Sequence, residues 1–82
     1  MYSIIYSETA VKQLEKLDKE TQKRIIAVLE RCRIRPEAHA KKLVGNPYYR
    51  LRAGDYRIII DIQKQTITIF VIEIGHRKDV YK

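Results

Sequence analysis

The sequence predicts an α+β domain in which an N-terminal strand and an antiparallel helical hairpin pack on one face of a mostly antiparallel sheet, completed by a C-terminal three-stranded meander. Three observations predict it. Apolar residues recur at helical spacing between residues 8 and 35, the period changes to two after residue 48, and the run TITIFVIEI is apolar almost throughout. At 82 residues the chain closes one hydrophobic core, so a single domain is expected over 1–82.

Residues 2–6, YSIIY, combine aromatic and β-branched side chains and read as a short strand. Ser7 follows as the N-cap of a helix over ETAVKQLEKL, whose buried stripe is expected at Val11, Leu14 and Leu17. Asp18 caps a second helix through KETQKRIIAVLERCRIR, with Ile25, Ile26, Leu29 and Cys32 on its apolar side. Pro36 ends it, because proline cannot continue the hydrogen-bond ladder. Residues 36–47, PEAHAKKLVGNP, form a connection with one helical turn, anchored by Leu43 and Val44.

In YYRLRA, alternation sends Tyr49, Leu51 and Ala53 to one side and Arg50 and Arg52 to the other. Gly54-Asp55 makes a two-residue hairpin loop with Gly first, as a type II′ turn prefers. The returning strand YRIIIDI carries Tyr56, Ile58, Ile60 and Ile62 in one row and Arg57, Ile59 and Asp61 in the other. A turn at QKQ leads into TITIFVIEI, expected as a central strand buried on both faces, with Gly75 as the turn out of it.

Apolar residues at 45% and charged residues at 33% are the balance of a folded domain. No apolar run approaches the ~20 residues that cross a bilayer, and MYSIIYSETA lacks a basic-then-apolar leader, so a cytoplasmic protein without a membrane partner is expected. Cys32 is the only cysteine and no Cys or His pair has zinc-ligand spacing; neither a disulfide nor a metal nor a small-molecule cofactor is expected. Cys32, His39 and the mixed charges of residues 15–20 read as structural or solvated surface. The net charge of +7 favours a polyanionic partner.

If the tyrosine and isoleucine rows pack beneath the helices, Arg50, Arg52 and Arg57 emerge together on the opposite face, and Arg77, just after the last strand, reaches the same patch. Guanidinium forks suit phosphate. His76 and Tyr81 add groups that exchange protons or stack on an unpaired base, which points to single-stranded RNA. Cleavage of an RNA backbone needs one group to take the 2′-OH proton, another to protonate the departing 5′ oxygen, and cations to hold the charge between them. A clamp that binds RNA or an acidic protein without reaction would use the same cations.

The stretch YYRLRAGDYRIIIDI followed by ITIFVIEIGHRKDVYK closely resembles the C-terminal half of the RelE/ParE superfamily of toxins from toxin-antitoxin modules, and the order of elements agrees along the whole chain. The resemblance implies a RelE-like fold, a cognate RelB-like antitoxin and, in the RelE branch, ribosome-dependent, metal-independent endoribonuclease action on mRNA in the ribosomal A site. It implies a site at Arg50, Arg52, Arg57, Arg77 and Tyr81. Some members carry Lys where Arg50 and Arg52 stand here. Arginine does not release its proton, so the group exchanging a proton with the 2′-OH is expected to be His76 or Tyr81. The sibling ParE branch shares the fold and inhibits DNA gyrase without cutting RNA. A degenerate toxin would keep only the fold and the antitoxin.

Overall fold

The computed structural model describes residues 1–76. In chain order the elements are β1 (Ser3–Tyr6), α1 (Glu8–Glu15), α2 (Lys19–Arg31), α3 (Pro36–His39), β2 (Lys41–Lys42), β3 (Tyr49–Ala53), β4 (Tyr56–Gln63) and β5 (Thr68–His76). They build the α+β architecture that the sequence predicts, around one sheet of order β1-β5-β4-β3-β2. β1 runs parallel to β5 and every other neighbouring pair is antiparallel. The most apolar strand, β5, therefore lies inside the sheet, flanked by β1 and β4.

Ser7 caps α1 as expected. Its Oγ accepts from the Ala10 amide at 3.0 Å and donates to the Ile72 carbonyl at 2.8 Å, so one hydroxyl starts the helix and ties it to β5. Gln13 Oε1 accepts from the Ile74 amide at 2.6 Å. β1 pairs only with Thr68–Val71, and these two side chains serve β5 backbone groups beyond its reach. Asp18 occupies the N-cap position of α2 without a side-chain cap bond; Gln22 Nε2 fastens that turn instead, donating to the Leu17 carbonyl at 2.8 Å.

α2 stops at Arg31, short of Arg35, because the next residues are drawn to β1. Tyr2 N donates to the Arg33 carbonyl at 2.7 Å, and Arg33 Nε donates back to the Tyr2 carbonyl at 2.8 Å. The predicted helical turn in the connection is α3, opened by a buried Pro36 at its first turn. Val44 does not anchor the connection: it is 99% exposed, beside Gly45 at φ +85° where the chain loops outward. Leu43 alone packs, half-buried, its amide donating to the Tyr48 carbonyl at 2.9 Å.

The two longer helices dock chiefly on the sheet, α1 against β5 and α2 against β3. Ala10, Ile25, Leu29 and Cys32 meet Leu51, Ile58, Ile60, Ile69, Val71 and Ile74 in one core, all at most 2% exposed. The expected stripes shift slightly. Val11 and Ile26 lie at the edges of their helices' buried faces, at 39% and 38% exposure. Ala10, too small to show in a hydropathy pattern, is the fully buried residue of α1 and brings that helix close to β5.

Gly54 opens the β3–β4 hairpin at φ +62°, and Asp55 is not at positive φ, which is the type II′ arrangement. A Cβ on Gly54 would stand 2.8 Å from Arg24 Nη1, so the helix α2 side chain lies over this turn. Between β4 and β5 the register slips at Ile59/Ile60, leaving Ile72 as the extra residue of a bulge. β5 starts at Thr68, two residues later than TITIFVIEI implies. Ile67 belongs to the turn at φ 51°, its amide bonding the Lys64 carbonyl at 3.4 Å, a costly conformation for a β-branched residue.

Candidate functional site

The strand register assigns each cation a place. On the sheet face away from the helices, Arg52 stands opposite Arg57, which stands opposite Gly75. The adjoining row runs Lys41, Arg50, Ile59, Glu73. Alternation thus brings Arg50, Arg52 and Arg57 to one face as predicted, and β2 adds Lys41.

Depth differs among them. Arg52 is exposed and Arg50 half-buried, whereas Arg57 does not emerge as expected: it is 3% exposed, with Nε and Nη1 sealed from solvent. At Arg57 β4 has a paired neighbour on each side, Arg52 and Gly75, whereas β2 reaches only Tyr49 and Arg50 of β3 and leaves Arg52 at an open edge. Gly75 lies within β5, not in a turn out of it, and leaves the position beside Arg57 without a side chain.

His76 is not brought into this cluster. It pairs with Tyr56, the rings meeting edge to face at 5.4 Å and 81°. Tyr56 shares its side of β4 with Ile58 and Ile60, so the imidazole belongs to the helix side of the sheet while the arginine row belongs to the other. Arg77 and Tyr81 lie outside the described residues.

A hollow at the hairpin end is lined by Arg52, Gly54, Asp55, Tyr56 and Arg57. Here the two faces meet, and Tyr56 reaches the cations. Sequence reading missed both Tyr56 and Lys41. The hydropathy row put Tyr56 in the core, and the two-residue strand that carries Lys41 is too short to leave a period; its only signal is the Lys41-Lys42 pair in an otherwise mixed connection.

Groups with displaced titration lie elsewhere. Burial raises the Cys32 thiol to about 11 against the opposing pull of Arg31, and burial followed by the charge of Glu30 raises the Tyr6 phenol. The Lys64 ammonium is raised by its hydrogen bond to Glu37, at 2.8 Å on the surface. Among the described residues no three His, Cys, Asp or Glu side chains are placed to share a metal ion. No described helix is long and apolar enough to cross a membrane. What the row offers is fixed positive charge: two adjacent guanidiniums, one buried and one exposed, able to grip an anion from two depths.

Comparison with known proteins identifies the family. Residues 4–81 match the family described as the ParE toxin of the type II toxin-antitoxin system parDE. The chain belongs to the RelE/ParE toxin superfamily. The toxin is 34% identical over 84 residues to Toxin RelE3 of Methanocaldococcus jannaschii, covering 95% of this chain and 93% of the relative. It is 31% identical to the mRNA interferase toxin RelE of Escherichia coli K12, covering 94% and 84% of the two chains. In the intact E. coli RelBE toxin-antitoxin complex, the matching chain superposes with a TM-score of 0.80 at 28% identity, covering 93% of the toxin and 96% of that chain. The superfamily resemblance expected from the C-terminal motif therefore holds for the toxin along nearly its whole length.

Proposed function

We propose that the toxin is an mRNA interferase that cuts messenger RNA in the ribosomal A site without a metal ion, its activity held in check by a RelB-like antitoxin. The observation that carries this reading is the Arg52–Arg57 row on the helix-free face of the sheet. The interferase name of the E. coli relative and the RelBE complex at 28% identity support it. In this scheme Arg52 orients the scissile phosphate from the surface, with Arg50 engaging the neighbouring backbone. Arg57 and Arg77 stabilise the added negative charge as the 2′ oxygen attacks phosphorus and the 5′ oxygen departs. Loss of the 2′-OH proton and its delivery to the leaving oxygen balance the step, giving a 2′,3′-cyclic phosphate and a 5′-OH. Tyr81 is the proposed proton carrier, and His76, seated against Tyr56 across the sheet, is proposed to set the position of the chain that follows it.

Cleavage of a defined messenger on programmed ribosomes, with 5′ ends mapped, tests the scheme. Cuts confined to the A site that fall by about 100-fold or more in Arg52→Ala and Tyr81→Phe are expected. A second reading, gyrase inhibition, is favoured by the ParE description of the matched family. Loss of gyrase supercoiling with intact messenger would establish it and end the interferase proposal.

A further inference from the structure

The arginine row ends at the hairpin, where a fourth guanidinium arrives from a different element. Arg24 belongs to α2, on the helix layer, yet its Nη1 lies where a Cβ of Gly54 would come within 2.8 Å. Gly54 also lines the hollow with Arg52, Tyr56 and Arg57. One glycine thus serves two ends: its positive φ makes the turn, and its bare Cα seats the Arg24 head at the rim of the hollow. Arg24 is exposed, and no ion pair joins it to a described carboxylate. Arg24 thus meets, at Gly54, the hollow that Arg52 and Arg57 line with Asp55 as its one carboxylate, so cations outnumber acids around it and an incoming anion is favoured.

We propose that Arg24 is a positioning residue of the RNA site, gripping the phosphate next to the one engaged by Arg52 and Arg57, with Gly54 kept bare to admit it. The inference rests on the RNA reading above. It extends the backbone track from the sheet across the hairpin end onto α2, so that consecutive phosphates are held by two elements.

The test is equilibrium binding of a 2′-O-methyl RNA, which cannot be cut, to the full-length toxin across a salt series. Loss of one phosphate contact on a single strand lowers the slope of log affinity against log salt by about 0.7. Arg24→Ala and Arg24→Gln should show that loss and weaken binding roughly five- to tenfold, while Arg24→Lys keeps the slope. Gly54→Ala should reproduce the loss in the wild-type background and add nothing further in Arg24→Ala, which separates displacement of Arg24 from damage to the turn. On programmed ribosomes Arg24→Ala should raise KM severalfold with kcat held, since uniform binding is what it removes. An unchanged slope in Arg24→Ala, where Arg52→Ala lowers it, overturns the role of Arg24 and leaves the RNA reading standing. Unchanged slopes in both overturn the RNA reading and this inference with it.

Discussion

At Cys32 the fold holds a thiol where water cannot reach it, and the consequence is a stability that depends on alkaline pH. The unfolded chain gives up the thiol proton near the ordinary value of 9.0, whereas burial holds it in the folded chain to about 11. The contribution is therefore complete below 9.0 and lost as pH rises through about 11. Tyr6, raised by burial and by Glu30, adds a term of the same sign. Urea midpoints should fall from neutral pH towards 11, and Cys32→Ala should flatten that fall; a mutant curve parallel to the wild type would contradict the assignment. Arg57 presents the opposite balance, a charged group held away from water, 3% exposed. Arg57→Met should lower messenger cleavage by about 100-fold or more while leaving stability within roughly 2 kcal/mol of the wild type in urea titration, because an apolar replacement removes a desolvation cost along with the interactions. The face occupied by Arg50, Arg52 and Arg57 was legible in the sequence, since alternation reports side. Their depths were not, because depth depends on which positions along each strand end up with a paired neighbour on both sides.

Between neighbouring elements the decisive contacts are polar and few. Ser7 closes the first turn of α1 and holds the bulged part of β5 through Ile72. Ser7→Ala should cost about 1–2 kcal/mol, and hydrogen exchange at the Ala10 amide should accelerate with it. Ser7 and the Gly54-Asp55 turn could be read directly, because each is a local rule carried by a residue type with a specific geometry. β2 could not, being two residues long and held in place only by Tyr49 and Arg50 of its partner strand. The start of β5 was misplaced for a related reason: Ile67 has strand propensity, but closure of the turn from Lys64 fixes its backbone at φ 51°. The C-terminal motif made the family recognisable, while the placement of His76 on the helix side follows from a register that composition does not contain.

Over the whole molecule, a charge of +7 and a sheet whose described helices pack on one face define what a partner must supply. The face away from the described helices is cationic near the hairpin and apolar towards β1, where Ile5 is 49% exposed and pairs with Phe70. An antitoxin segment that covers both should bind with a salt dependence shallower than its charge suggests, because apolar burial is unscreened. Calorimetry over a salt series should show a negative heat-capacity change at every concentration. The parallel pairing of β1 with β5 carries a further meaning. β1 finds its strand partner in β5, far along the chain, and the hydroxyl of Ser7 and the amide of Gln13 wait for the same segment. During synthesis β1 therefore stays unmatched until β5 follows, and the sheet closes only once both strands are free of the ribosome, so folding of this toxin waits on its most distant pairing.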